Sequence, residues 1–536
     1  MQDKKYFGVM LDMSRNGVMQ ADEVCRFAKT VKSFGYNTLM LYTEETYEVE
    51  NEPYFGHYRG RYTQAELKQI VDYCENIGIE VIPCIQTLAH LESLFHWRHY
   101  HPIYDVEEVL LVGHERTYEL IENMFKTLRK CMKTDRIHIG MDEAHMLGLG
   151  RYLQQNGFES RFDILQKHLV RVLEIAQKYN FKPMMWSDMY FRLANQGAYY
   201  GKDIQIPDEV IAKQPKEVGL VYWHYYGMDE ELYRAMMKTH KKFDCEVWYA
   251  GGSRSSDGFA SGNRFSIPAL QCAMQACKKE GIDNVLITCW GDGGKECSFW
   301  TQLPTLYAVR RFYDGEENLD SIAKEFESLT GESFAAMLDF DLPDRVAGNE
   351  VRKNPCKNMF YNDVFLGVLD SIVADGVCEE YARHAAVLRG HAKNSRFAYI
   401  FHSMAKLCDF LAVKYDLGVR LRSAYQSGDK KQLGRLAKDI KKAETRLAIF
   451  FEAFRTVWYK ENKPHGFDIQ EQRFGGLMHR LKCCRLRVQA YVKGKCESIP
   501  ELEEQVLDYY GNGHEFNKEQ LLYNAWDYIT SVNRYR

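Results

Sequence analysis

Eight short apolar runs, separated by longer segments of helical period, fill roughly the first 315 residues, and this alternation limits the possible folds more than any other feature. The runs are "YFGVMLDM" (6–13), "NTLMLYTE" (37–44), "IEVIPCIQT" (79–87), "RIHIGMDE" (136–143), "KPMMWSDM" (182–189), "VGLVYWHYY" (218–226), "CEVWYAGG" (245–252) and "NVLITCWGD" (284–292). Near-continuous apolar runs of this length mark strands covered on both faces, as parallel strands are. Amphipathic segments lie between them, and Thr63 with Glu66 gives a capping-box pattern at the head of "TQAELKQIVDYCENIG". The segment after the fifth run is rich in Gly and Tyr, which predicts an irregular unit. Eight strand-helix units predict an α/β fold, a (β/α)8 TIM barrel. A doubly wound open sheet fits less well, because no G-x-G-x-x-G follows an early strand and a count of eight favours closure.

Beyond residue 358 strand-like runs almost disappear and apolar residues recur at three and four, as in Leu433, Leu436, Ile440 and Leu447. The expected organisation is a barrel over 1–340, a linker over 341–357 and an all-α C-terminal domain over 358–536. At 536 residues the chain is too long for one core. The basic run "KKQLGRLAKDIKK" reads as a solvated helix face. A formal net charge of -4 argues against nucleic acid as a partner. The first apolar run is broken by Asp12 and Arg15, so no secretory leader is expected, and no stretch has the length of a membrane-spanning helix. The 15 cysteines, without a C-x-x-C, fit reduced thiols and a cytoplasmic setting.

Barrel enzymes carry their chemistry on the C-terminal ends of the strands. There stand Asp142 and Glu143 on the fourth run, Trp186 and Asp188 on the fifth, Trp223 on the sixth, Tyr249 on the seventh, and Trp290 with Asp292 on the eighth. Asp12 ends the first run, Glu44 and Glu45 the second, and His90 follows the third. Carboxylates among tryptophans suit a sugar, whose C–H faces pack on aromatic planes and whose hydroxyls need fixed hydrogen-bond partners. Any one of these aromatics taken alone is more simply barrel packing. Because consecutive strand residues point to opposite sides, Asp142 and Glu143 are not expected to face each other across one bond. They fit different roles in one site: Glu143 as a general acid whose proton affinity the neighbouring charge raises, and Asp142 as holder of a second group.

His138-x-Gly140-x-Asp142-Glu143 resembles the H-x-G-x-D/E-E signature of family-20 glycoside hydrolases, the β-N-acetylhexosaminidases. "GVMLDMSR", "LYTEE", "WSD" and "WGD" are similar to that family's first, second, fifth and eighth strands. The resemblance covers about 315 residues, and a barrel with a helical C-terminal domain is similar to the compact bacterial members. It implies an exo-acting enzyme on glycans ending in N-acetylhexosamine, without cofactor or metal, by a retaining, substrate-assisted mechanism through an oxazolinium. Glu143 would be the acid, Asp142 would orient the acetamido N–H, and Tyr249 would bond the acetamido oxygen. Trp186, Trp223 and Trp290 would wall the sugar, Asp292 and His90 would contact it, and His138 would either support the site from behind or be structural. A homodimer is the assembly the compact members suggest.

Three positions depart from the family pattern. Phe7 stands where an Arg usually precedes the first-strand glycine, Asp292 replaces a Glu, and Gly251 replaces an Asp two positions after Tyr249. This predicts retained N-acetyl recognition with loosened discrimination at O4, so that both β-GlcNAc and β-GalNAc are accepted. Two other readings remain at this point. A metal-dependent barrel hydrolase would use His90, His138, Asp142 and Glu143 as ligands, and a non-catalytic sugar-binding barrel would keep the fold without turnover.

Overall fold

All eight apolar runs form strands of one barrel in the computed structural model, which describes residues 5–256, 258–347 and 355–507. In chain order the strands are β1 (Phe7–Asp12), β2 (Thr38–Tyr42), β3 (Glu80–Cys84), a side hairpin of β4 (Tyr104–Val106) and β5 (Val109–Leu110), then β6 (Arg136–His138), β7 (Lys182–Trp186), β8 (Gly219–Trp223), β9 (Val247–Gly252) and β10 (Asn284–Cys289). The barrel closes in the order β1-β10-β9-β8-β7-β6-β3-β2, with every pair parallel. Every residue of β1, β2 and β8 is buried, as strands between a packed interior and a helical shell must be. The capping box forms: the Thr63 hydroxyl accepts from Glu66 N–H while the Glu66 carboxylate accepts from Thr63 N–H. The unit after β7 is irregular, with two short helices, Asp188–Ala194 and Asp208–Lys213.

The fourth run departs from the expected length. It stays extended only to His138, because Gly140 and Met141 take φ of +72° and +70° and turn the chain out of the strand. The Gln86 side chain occupies the space behind the turn: its oxygen accepts from Met141 N–H at 3.2 Å, and a Cβ on Gly140 would lie 2.0 Å from that oxygen. Both the left-handed backbone and this approach require glycine at 140.

From Leu303 onward the described chain is helical, with long helices at Val377–His391, Ala398–Lys414, Lys430–Glu461 and Phe467–Val492. Phe360, Phe450 and Phe474 form an aromatic centre, with ring centroids 5.3 to 5.8 Å apart. This helical region packs on the barrel rim beyond β1, where Gln20 N–H donates to Glu461 O and Lys463 N–H to Val18 O. The middle of the expected linker and the end of the expected helical domain lie outside the described residues. No helix among the described residues is long and apolar enough to cross a membrane.

Candidate active site

The C-terminal strand ends open onto one pocket, and seven of the residues expected there line it: His90, Asp142, Glu143, Trp186, Trp223, Trp290 and Asp292. Strand alternation does not govern the acid pair, which follows the end of β6 at His138. Glu143 also adopts a left-handed φ, +49°, so the pair sits on a turn and both carboxylates reach the pocket.

The two acids are held differently. Asp142 accepts from Gln86 Nε2 at 2.7 Å and lies 3.2 Å from His90 Nε2. Burial alone would raise its pKa, but the imidazolium and these hydrogen bonds hold the carboxyl below its ordinary value. Burial likewise opposes a charge on His90, yet Asp142 wins and pushes it up to about 10. Glu143 is raised, first by burial and then by the charge of Asp142, against His90 and Arg192. The proton affinities of the two neighbours are therefore pushed in opposite directions, Asp142 down and Glu143 up.

Behind them, beside the expected Asp188, lies Arg192, which like Gln86 was missed in the sequence. Arg192 Nη2 donates to Glu143 Oε1 at 3.0 Å and its Nε to Asp188 Oδ2 at 3.0 Å, while Asp188 Oδ2 also accepts from Glu143 N–H at 3.0 Å. Burial, then the charges of Asp142 and Glu143, push Asp188 up to about 7. The i,i+4 spacing of Asp188 and Arg192 and the polar Gln86 closing an apolar run were the available signals. His138 is buried under Trp186, ring centroids 4.3 Å apart, and burial lowers it to about 3, so it is neutral and structural. Among the described residues no group of three or more His, Cys, Asp or Glu is arranged to hold a metal ion.

Three expectations need correction. Tyr249 is fully buried outside the pocket lining, its hydroxyl donating to His224 O at 3.1 Å. Tyr225 lines the pocket instead, stacked on Trp223 with centroids 5.4 Å apart and lying over Gly252, where a Cβ would come within 2.7 Å of the ring. Gly251 faces Leu270 rather than the cavity, so the acid absent there takes nothing from the pocket. Phe7 opens β1 far down the strand, packed on Tyr36 and Tyr313, and the arginines that line the pocket are Arg15, which follows the other end of β1, and Arg254. Arg15 stands 3.4 Å from Glu44 and 3.4 Å from Asp292. Arg15 was present in the quoted "GVMLDMSR" and went unassigned.

Residues 5–249 match the family model described as "Glycosyl hydrolase family 20, catalytic domain", and 332–521 match "Glycoside Hydrolase 20C C-terminal domain". The chain is similar to Hexosaminidase D of Bos taurus, 25% identical over 245 residues, covering 42% of this chain and 66% of the relative. It is also similar to Hexosaminidase D of Homo sapiens, 24% identical over 242 residues, covering 42% and 47%. The chain thus spans less than two thirds of the length of these relatives. Among solved structures, the β-N-acetylhexosaminidase from Bacteroides fragilis NCTC 9343 aligns at 15% identity and a TM-score of 0.47, over 60% of this chain and 70% of that one. With models of one family matching both its barrel and its helical part, and with that family's signature standing on the turn after β6, the chain belongs to glycoside hydrolase family 20.

Proposed function

We propose that this chain is an exo-β-N-acetylhexosaminidase that removes terminal, non-reducing β-linked N-acetylglucosamine, and N-acetylgalactosamine, with retention of configuration. The observation that carries the reading is one adjacent acid pair held in two different ways in the pocket: Asp142 bonded by His90 and Gln86 and lowered, Glu143 raised by burial and by Asp142. Two carboxyls with proton affinities pushed apart supply an acid and a charge-stabiliser at the same pH.

Glu143 protonates the glycosidic oxygen as the substrate's own acetamido oxygen attacks the anomeric carbon, forming an oxazolinium ion. Asp142 accepts the acetamido N–H and stabilises the positive ring. The hydroxyl that meets the acetamido oxygen is assigned to Tyr225, whose ring stacks on the pocket tryptophan Trp223, while Tyr42, the pocket tyrosine beside Asp142, donates to Glu44 at 2.9 Å and accepts from Gln86 at 3.0 Å. Trp186, Trp223 and Trp290 take the apolar faces of the sugar, and Glu143 then returns as general base for water. A reducing, cytoplasmic setting suits a chain in which all 15 cysteines are free thiols.

The test is hydrolysis of an aryl β-N-acetylglucosaminide beside the matching 2-hydroxy glucoside. Turnover of the first and nearly none of the second is expected, with strong inhibition by a thiazoline mimic of the oxazolinium. Comparable turnover of both would rule out nucleophilic participation by the acetamido group.

A further inference from the structure

Trp290 and Asp292 stand at the head of a loop, residues 291–298, that the barrel alone does not fix. Gly293 and Gly294 take φ of +73° and +116°, a backbone with wide freedom unless something holds it. The helical region supplies the hold. Arg473 Nη1 donates to Gly293 O at 2.7 Å and reaches Glu296 Oε1 at 3.2 Å, and Gln470 Nε2 donates to Gly294 O at 2.9 Å. Lys357 pairs with Glu296, and both side chains are almost wholly excluded from solvent. On the barrel side, Gly291 N–H donates to Asp12 Oδ2 at 2.9 Å. The loop is therefore strung between the first barrel strand and two helices of the C-terminal half.

Its position around the ring gives this hold a consequence. In the closed order, β10 lies four strands from β6 in either direction, so Asp292 stands across the pocket from the acid pair. A pyranose whose C1 and C2 meet Asp142 and Glu143 turns its C4 edge to that opposite wall, where Asp292 lies 3.4 Å from Arg15. Resting on the hexosaminidase reading of the pocket, we propose that Gln470 and Arg473 are positioning residues for sugar discrimination: they fix the Gly293–Gly294 backbone so that Asp292 presents its carboxylate to the C4 edge. Neither residue touches substrate in this scheme.

The test uses the full chain with Gln470→Ala and Arg473→Ala, singly and together, and Asp292→Asn, assayed on aryl β-GlcNAc and aryl β-GalNAc. In the double variant the ratio of kcat/KM for the two epimers should change about three- to ten-fold, with KM rising more than kcat falls. Adding Asp292→Asn should change the ratio no further, since all three substitutions remove one function. Arg473→Lys, which keeps a donor for Gly293 O, should recover part of the ratio. Hydrogen exchange over residues 291–298 should quicken while β6 and β7 stay protected. An unchanged ratio, effects additive with Asp292→Asn, or faster exchange throughout the barrel would overturn the proposal. If the unaltered protein hydrolyses neither substrate, the activity reading fails, and the loop's exchange with the affinity for free GlcNAc still decides the positioning role: faster loop exchange with weaker binding supports it, and no change in either overturns it.

Discussion

On the β6–β7 side of the pocket, Asp142, Glu143, His90, Gln86, Asp188 and Arg192 hold one another through contacts of 2.7 to 3.8 Å, all from within the barrel's own strand-end turns and the short helix Asp188–Ala194. On the β1–β10 side, Arg15 and Asp292 also meet, but the loop behind Asp292 is gripped by side chains about 180 residues further along the chain. The family match to the catalytic domain takes in the first side and stops at residue 249, before β10 begins. The groups assigned to bond cleavage are thus fixed by near neighbours, and the group assigned to reading the sugar's far edge is fixed from outside the barrel. Charge-stabilising groups gain from such short, closed networks because their geometry costs no reorganisation during reaction.

The sharpest way to break this division is to remove an acid from each side. Glu143→Gln should lower kcat about 10²- to 10⁴-fold on a substrate with a poor leaving group. Asp142→Asn should lower it about 10²- to 10³-fold with a smaller effect on ground-state binding. A kinetic loss of the same size from Asp292→Asn would erase the distinction between the two sides.

The next largest effect concerns stability. His90 has an ordinary pKa of 6.5 and is raised to about 10, so its stabilisation is full below about 6.5 and fades as pH climbs through 10. Asp142 is lowered, so its share is full above its ordinary 3.8 and fades as pH falls through the depressed value. Their pairing is strongest between these limits. Removing one member of a buried pair costs about 3–5 kcal/mol, and denaturant unfolding of His90→Gln near pH 6 should show a loss of that order. The gap from the unaltered protein should narrow toward pH 10; a gap independent of pH would show that His90 acts by packing alone.

The smallest effect sharpens the role of Arg192. Its charge opposes the burial and the Asp142 repulsion that raise Glu143. In Arg192→Gln the acid should keep its proton to higher pH, and the basic limb of the kcat/KM profile should move upward. A limb that stays put or moves down would detach Arg192 from the acid.

The sequence made the barrel legible because period-two burial on both faces leaves unbroken apolar runs, and all eight became strands. It also exposed the acid pair, whose charges have few uses in a core, and the three tryptophans, which single themselves out only by converging with that pair on one rim. What escaped were choices made in three dimensions. Arg192 and Gln86 are ordinary polar residues until the turn after β6 brings Glu143 and Asp142 against them. Tyr249 and Tyr225 are equally good tyrosines in one dimension, and the choice between them rests on which ring the barrel interior covers. The grip of Gln470 and Arg473 on two glycine carbonyls has no sequence signature, because backbone oxygens are offered by every residue.

The contact of Tyr225 with Gly252 couples the two positions through simple bulk. Any side chain at 252 would start within 2.7 Å of the tyrosine ring and expel it from the cavity. In a lineage the order of change therefore matters: the ring can shrink first and leave a roomier cleft that lacks the tyrosine hydroxyl, whereas enlarging the glycine first jams the cleft against a full-sized ring. Libraries that vary the two codons together will reach variants that one-at-a-time mutagenesis misses.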